Sequence, residues 1–125
     1  MIVLYYTLSN ISCRKAINWF HEKEIPIAEK NISDISKSDL IHTLRLSENG
    51  FLDLLRRPAQ CEDFMKSMIE DVLEMSFNDS VKFILSHPEI LRLPLIIDKN
   101  KYIVGYNTEK IRIFISRAYR NTRLN

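Results

Sequence analysis

The sequence predicts an α/β protein, a small mixed sheet with helices on both faces and an α-helical lobe inserted into its middle. Three observations predict it: a βαβ pattern over the first 32 residues, helix punctuation without strand patterns from Ser33 to His87, and two short apolar strands followed by a helix at the end.

Residues 2 to 7, Ile-Val-Leu-Tyr-Tyr-Thr, form a continuous apolar and β-branched run without polar alternation. Such a run is too short for a helix and fits a central strand buried on both faces. Cys13, Ala16, Ile17 and Phe20 then recur at helical spacing, with Trp19 widening the stripe, so a helix is expected from about Ser12 to about Lys23. Ile25-Pro-Ile-Ala-Glu-Lys-Asn-Ile32 reads as a second strand, in which Pro26 is tolerable only at the beginning or on an edge. The crossover between these strands should be right-handed.

Within the helical stretch, Ser36 or Ser38 can cap a helix carrying Leu40, Ile41 and Leu44, with Asn49-Gly50 as its terminator and Gly50 at a positive φ. Phe51 to Arg57 is a short helical piece stopped before Pro58. A third helix takes roughly Cys61 to Leu73, turning inward either Phe64, Met68 and Val72 or Met65, Ile69 and Leu73. Ser76-Phe-Asn-Asp79 resembles a capping box and opens a fourth helix through Val81, Ile84 and Leu85 to His87-Pro88. Leu93 to Asp98 and Tyr102 to Tyr106 then form an antiparallel pair across Lys99-Asn-Lys101, and a last helix from about Asn107 buries Ile111, Phe114 and Ile115. The order βαβ, helical insertion, ββα is the thioredoxin-like plan. It divides a single domain, 1–125, into a thioredoxin-like part at about 1–32 and 89–125 and an insertion at about 33–88.

Bulk properties narrow the function classes. A chain of 125 residues with 46% hydrophobic content can bury a core without disulfides. No window approaches 18 uncharged apolar residues and the N-terminus starts directly with strand-like sequence, so the expectation is a cytoplasmic protein with no export signal and no membrane partner. Cys13 and Cys61 are too far apart in sequence for a metal motif and make no disulfide framework, which excludes a zinc site and fits a reducing compartment. Net charge is +2, but five basic residues (Lys110, Arg112, Arg117, Arg120, Arg123) and one acid lie beyond Asn107, whereas Glu62 to Asp79 holds six acids and one lysine. A basic final helix could touch phosphates; a solvated basic face whose last turn complements the helix dipole is the preferred reading.

Chemistry is sought first at the strand-to-helix junction. Cys13 falls in the first turn of a helix, where free backbone N–H groups and the positive dipole end favour a thiolate, with Arg14 and Lys15 following it. A free cysteine also packs well as a small apolar residue, and that reading is the preferred one for Cys61.

The segments Met1-Ile-Val-Leu-Tyr-Tyr6, Ser9-Asn-Ile-Ser-Cys-Arg-Lys15, Glu24-Ile-Pro26, Ser47-Glu-Asn-Gly50, His87-Pro-Glu-Ile-Leu-Arg-Leu-Pro-Leu-Ile-Ile-Asp98 and Val104-Gly-Tyr-Asn107 together resemble the Spx family of the arsenate reductase superfamily. The resemblance implies a monomeric transcriptional regulator without cofactor. Its implied partner is the C-terminal domain of the RNA polymerase α subunit; DNA is met only through the polymerase, and an adaptor and protease control abundance. It places Gly50, Arg45 and the turn with Asn10, Cys13 and Arg14 on the polymerase-facing surface, and it implies a cis Pro94 facing that turn.

Two departures matter. Many members carry Cys-x-x-Cys at the turn, and here the first position is Asn10, so an intramolecular disulfide switch of that type cannot form and Cys13 stands as a single thiol. The arginine often found immediately before the proline is Leu93, with Arg92 one position earlier, where a strand would turn its side chain to the other face. The enzymatic alternative is a glutathione- and glutaredoxin-linked arsenate reductase with Cys13 as nucleophile. It needs guanidinium groups to hold the oxyanion, and that clamp reads as incomplete.

Overall fold

The computed structural model describes residues 1–115. Strand β1 (Ile2–Tyr6) leads into helix α1 (Ile11–Glu22) and strand β2 (Ile27–Asn31); helices α2 (Lys37–Leu46), α3 (Phe51–Leu54), α4 (Asp63–Glu74) and α5 (Phe77–Ser86) follow, then β3 (Leu95–Ile97) and β4 (Tyr102–Val104). The sheet order is β2-β1-β3-β4, with β1 parallel to β2 and antiparallel to β3, and β3 antiparallel to β4. Pro26 immediately precedes the edge strand β2, where its missing N–H costs no ladder bond.

Alternation along the strands sorts the core into two layers. Ile2 and Leu4 of β1, Ile96 and Ile103 pack with Ala16, Trp19 and Phe20 of α1 and with Ile111, Phe114 and Ile115. Tyr5, Leu95 and Ile97 face the other way, into a core closed by Leu40 and Leu44 of α2, Met68, Ile69 and Val72 of α4, and Val81 and Ile84 of α5. Each fully buried aliphatic side chain contributes about 1.5–3 kcal/mol of transfer free energy. Removing one centrally, as in Leu4→Ala, would cost about 2–5 kcal/mol.

Polar chemistry fixes the helix ends. Ser36 and Ser76 accept hydrogen bonds from the amides of Asp39 and Asp79 at 3.0 and 3.2 Å, as N-caps should. Buried Ser80 donates to the carbonyl of Val72 at 2.8 Å, a second bond from the neighbouring helix to an oxygen in the last turn of α4 that also accepts the Met75 amide at 3.2 Å. α1 ends with Glu24 in the left-handed region (φ 56), its amide on the His21 carbonyl and that of Ile25 on Phe20. That is the paired closure usually given to glycine.

Several expectations differ from what is observed. α1 begins at Ile11, one residue earlier than expected, with Asn10 supplying the cap. α2 ends at Leu46, where the Ser47 hydroxyl donates to the Leu44 carbonyl. Gly50 therefore does not terminate it; the glycine opens α3, with φ 65 and ψ −131. On α4 neither expected stripe faces inward intact, since Phe64 and Leu73 are exposed while Met68, Ile69 and Val72 are buried. The segment after Asn107 is a 3-10 turn over Lys110–Phe114, with Ile111 and Phe114 buried as expected. Arg117, Arg120 and Arg123 lie outside the described residues.

Candidate functional site

The turn after β1 is held by Asn10, whose Oδ1 accepts the Cys13 amide at 2.9 Å. This places Cys13 as the third residue of α1, in the predicted first turn. The thiol itself is buried, with 1% exposure, while Arg14 and Lys15 point into solvent. Burial pushes the Cys13 thiol up from its ordinary value, and a backbone hydrogen bond at Thr7 only partly opposes it. The expectation of a favoured thiolate is thus not met: removing water from the sulfur disfavours its charged form.

A cavity of about 680 Å³ opens beside this turn, and Cys13 does not line it. Thr7, Ser9 and Asn10 form one wall. Arg56, Arg57, Gln60 and Cys61, between α3 and α4, form the second, and Glu89, Leu91, Arg92 and Leu93 the third. Backbone hydrogen bonds clamp the last two walls together, from the Arg56 amide to the Ile90 carbonyl (2.9 Å) and from the Arg92 amide to the Leu54 carbonyl (2.8 Å), around a single bridge between Leu55 and Leu91. Three guanidinium groups therefore face one carboxylate, Glu89, which lies 3.4 Å from His87. Among the described residues none of the three arginines has a carboxylate within ion-pair distance.

Arg92 reaches this cavity alongside Leu93, contrary to the expected opposite orientation. The strand begins only at Leu95, so the alternation rule does not govern residues 91–94. The Leu93–Pro94 bond is cis, as the resemblance implied. The sequence alone assigns Arg56 and Arg57 no role and favours packing for Cys61. Cys61 does pack on the core, but it also opens to the cavity. The adjacent arginines were the available signal, and their neighbours in space were not.

A second group forms at the α2–α3 joint. Arg45 is exposed in the last turn of α2, where its charge complements the dipole. Asp53 organises the loop before it: Oδ2 accepts the amides of Glu48 (3.1 Å) and Asn49 (2.9 Å), and the Tyr102 hydroxyl approaches at 3.5 Å. These donors, the Asn49 amide foremost, hold the Asp53 carboxyl below its usual range. α2 is braced to the sheet by the Tyr5 hydroxyl donating to Asp39 and by His42 against the Asp98 carbonyl at 3.0 Å.

Of the residues singled out in the sequence, Asn10, Cys13 and Arg14 share one turn, and Arg45 and Gly50 flank another. Asn10 lines the arginine cavity, Arg45 lines a shallow depression on α2, and Gly50 lines neither. No hydrogen bond among the described residues joins the two groups. Exposed apolar side chains accompany both: Leu8 and Ile11 at the first, Leu52 at the second. No helix among the described residues is long and apolar enough to cross a membrane, and no group of three or more potential ligands that could hold a metal ion occurs among them.

Comparison with known proteins agrees with this architecture. The ArsC family model matches residues 5–114. The global transcriptional regulator Spx 2 of Bacillus anthracis is 37% identical over 122 residues, covering 96% of this chain and 91% of the relative. The global transcriptional regulator Spx of Streptococcus pneumoniae is 36% identical over 126 residues, covering 99% and 92%. Among solved structures, a Staphylococcus aureus protein superposes with a TM-score of 0.76 at 13% identity, over 93% of this chain and 100% of that one. An arsenate reductase from Vibrio cholerae does so with 0.74 at 14%, over 91% and 97%. These last two likenesses concern the thioredoxin-like fold alone. With the family model spanning nearly all of the described residues and Spx regulators aligned almost end to end, the chain belongs to the ArsC family as a homologue of the Spx regulators.

Proposed function

We propose that this protein is a transcriptional regulator of the Spx type, which docks on the C-terminal domain of the RNA polymerase α subunit and changes promoter or activator use without an intramolecular disulfide switch. The observation that carries this reading is the disposition of the two groups. Arg14, Arg45 and the backbone around Gly50 are open to solvent with Leu8, Ile11 and Leu52 beside them, while the cysteine of the turn is buried. An arginine-and-aliphatic surface suits a protein partner, whose interface needs apolar anchors within a polar rim. With Asn10 in place of a second cysteine, control falls to abundance, through an adaptor and protease, and the regulator acts as a monomer in the cytoplasm, meeting DNA only through the polymerase.

The test is a titration of purified α C-terminal domain into wild type and Arg45→Glu, with circular dichroism confirming that both are folded. Binding in the tens-of-micromolar range or tighter, weakened in the variant, supports the proposal; no complex at tens of micromolar overturns it.

The unpaired arginines of the cavity favour a second reading, reduction of arsenate or a similar oxyanion by Cys13. Burial of that thiol and its absence from the cavity wall weigh against it. A coupled NADPH, glutathione and glutaredoxin assay decides. Turnover lost in Cys13→Ser establishes the reductase, and equal background in both proteins removes it.

A further inference from the structure

The accessible thiol of this protein is Cys61, and it lies among charges. Its side chain is partly exposed on the cavity wall, whereas Cys13 is 1% exposed and off that wall. The 3-10 turn Pro58–Gln60 sets it there, with the Cys61 amide on the Pro58 carbonyl at 3.1 Å and the thiol donating to the Arg57 carbonyl at 3.3 Å. Arg56, Arg57 and Arg92 line the same space, opposed only by Glu89. At about 680 Å³ the cavity falls within the usual range of small-molecule sites. Guanidinium groups bind carboxylates by paired, charge-assisted hydrogen bonds, and those not occupied by the protein's own acids are free to bind a ligand's.

We propose that this cavity captures a small disulfide bearing carboxylates and transfers half of it to Cys61. The arginines hold the carboxylates and bring the sulfur–sulfur bond to the thiol. Cys61 gives its proton to solvent, and its thiolate attacks the nearer sulfur. A bond forms between Cys61 and that sulfur as the original sulfur–sulfur bond breaks, and the other half leaves as a thiolate that takes a proton from water. The disulfide is the oxidant: Cys61 is oxidised and the departing half is reduced. The product fills the cavity beside Asn10 with negative charge, so the modification alters the surface next to the strand-to-helix turn. A small thiol reverses it by the same exchange.

The test uses the full chain, reduced and freed of reductant, exposed separately to glutathione disulfide and to cystamine, an anionic and a cationic disulfide, at equal concentration and low salt. Intact mass follows the adduct, and peptide mapping of the wild type locates it. The adduct is expected on Cys61, formed at least about tenfold faster from the anionic disulfide, with the ratio shrinking in high salt. Arg92→Gln should reduce the anionic rate without slowing the cationic one, so that the ratio of the two falls. Cys13→Ser should keep the adduct and Cys61→Ser lose it. An adduct on Cys13, equal rates from the two disulfides, or no adduct overturns the proposal. Because the wild-type map alone assigns the site, a variant that fails to fold leaves the result intact.

Discussion

Gly50 carries a prediction in which backbone and partner effects separate. Its φ of 65 with ψ of −131 is the mirror image of the extended region, which side chains of L-residues scarcely enter. A Cβ built there meets nothing within 4 Å. The cost of any substitution is therefore conformational, about 1–3 kcal/mol, and it should be nearly the same for Gly50→Ala and Gly50→Arg. With a urea slope of about 2 kcal/mol per molar, both midpoints should fall by about 0.5–1.5 M, measured by far-ultraviolet circular dichroism. Binding should then part the two. The alanine variant, where folded, keeps its affinity for the α C-terminal domain, and the arginine variant loses it because its side chain projects from an open surface. A loss below about 0.5 kcal/mol for alanine would refute the claim that Asp53 and its donors hold this backbone in place. A much larger loss for arginine than for alanine would refute the open surroundings.

Three further outcomes follow from single contacts. The buried Tyr5 hydroxyl is pushed up to about 12 from 10.0, by burial first and then by its hydrogen bond to Asp39. Because the folded value is the higher, this stabilisation is complete below about pH 10 and is lost as pH rises towards 12. Tyr5→Phe should lose about 1.5–3 kcal/mol at neutral pH and flatten the alkaline fall in stability; a denaturation series from pH 7 to 11 with unchanged slope would count against it. Ser80→Ala removes the hydroxyl bond to the Val72 carbonyl, which keeps the Met75 amide at 3.2 Å, and should cost about 0.5–1.5 kcal/mol by urea denaturation, whereas a neutral result would mean that this buried bond adds nothing net to stability. Glu24→Gly relieves the only non-glycine residue at positive φ among those described and should raise stability by about 0.5–1 kcal/mol, read as a higher thermal midpoint; a fall would show that the Glu24 side chain contributes more than its backbone strain costs.

What the sequence determined by itself is the order of elements and the polar chemistry at their ends. The unbroken apolar run of β1 implied burial on both faces, which the two core layers realise. Ser76, and Ser36 as one of two candidates with Ser38, were legible as caps because an N-cap bond closes within three residues of its donor. The tertiary structure decided the rest. Whether Cys13 sits in water depends on what packs over it, and its burial pushes the thiol up, a result that the helix start advertised by the local sequence does not reveal. Gly50 was legible as a positive-φ position but not as the start of a helix, because the carboxylate that gathers the amides before it comes from Asp53, a turn further on. The arginine cavity was invisible in the chain, since its walls come from residues 7–10, 56–61 and 89–93 and only long-range backbone hydrogen bonds bring them together. Capping and periodicity act over one or two turns of chain, whereas burial and the summing of charge depend on every neighbour in space.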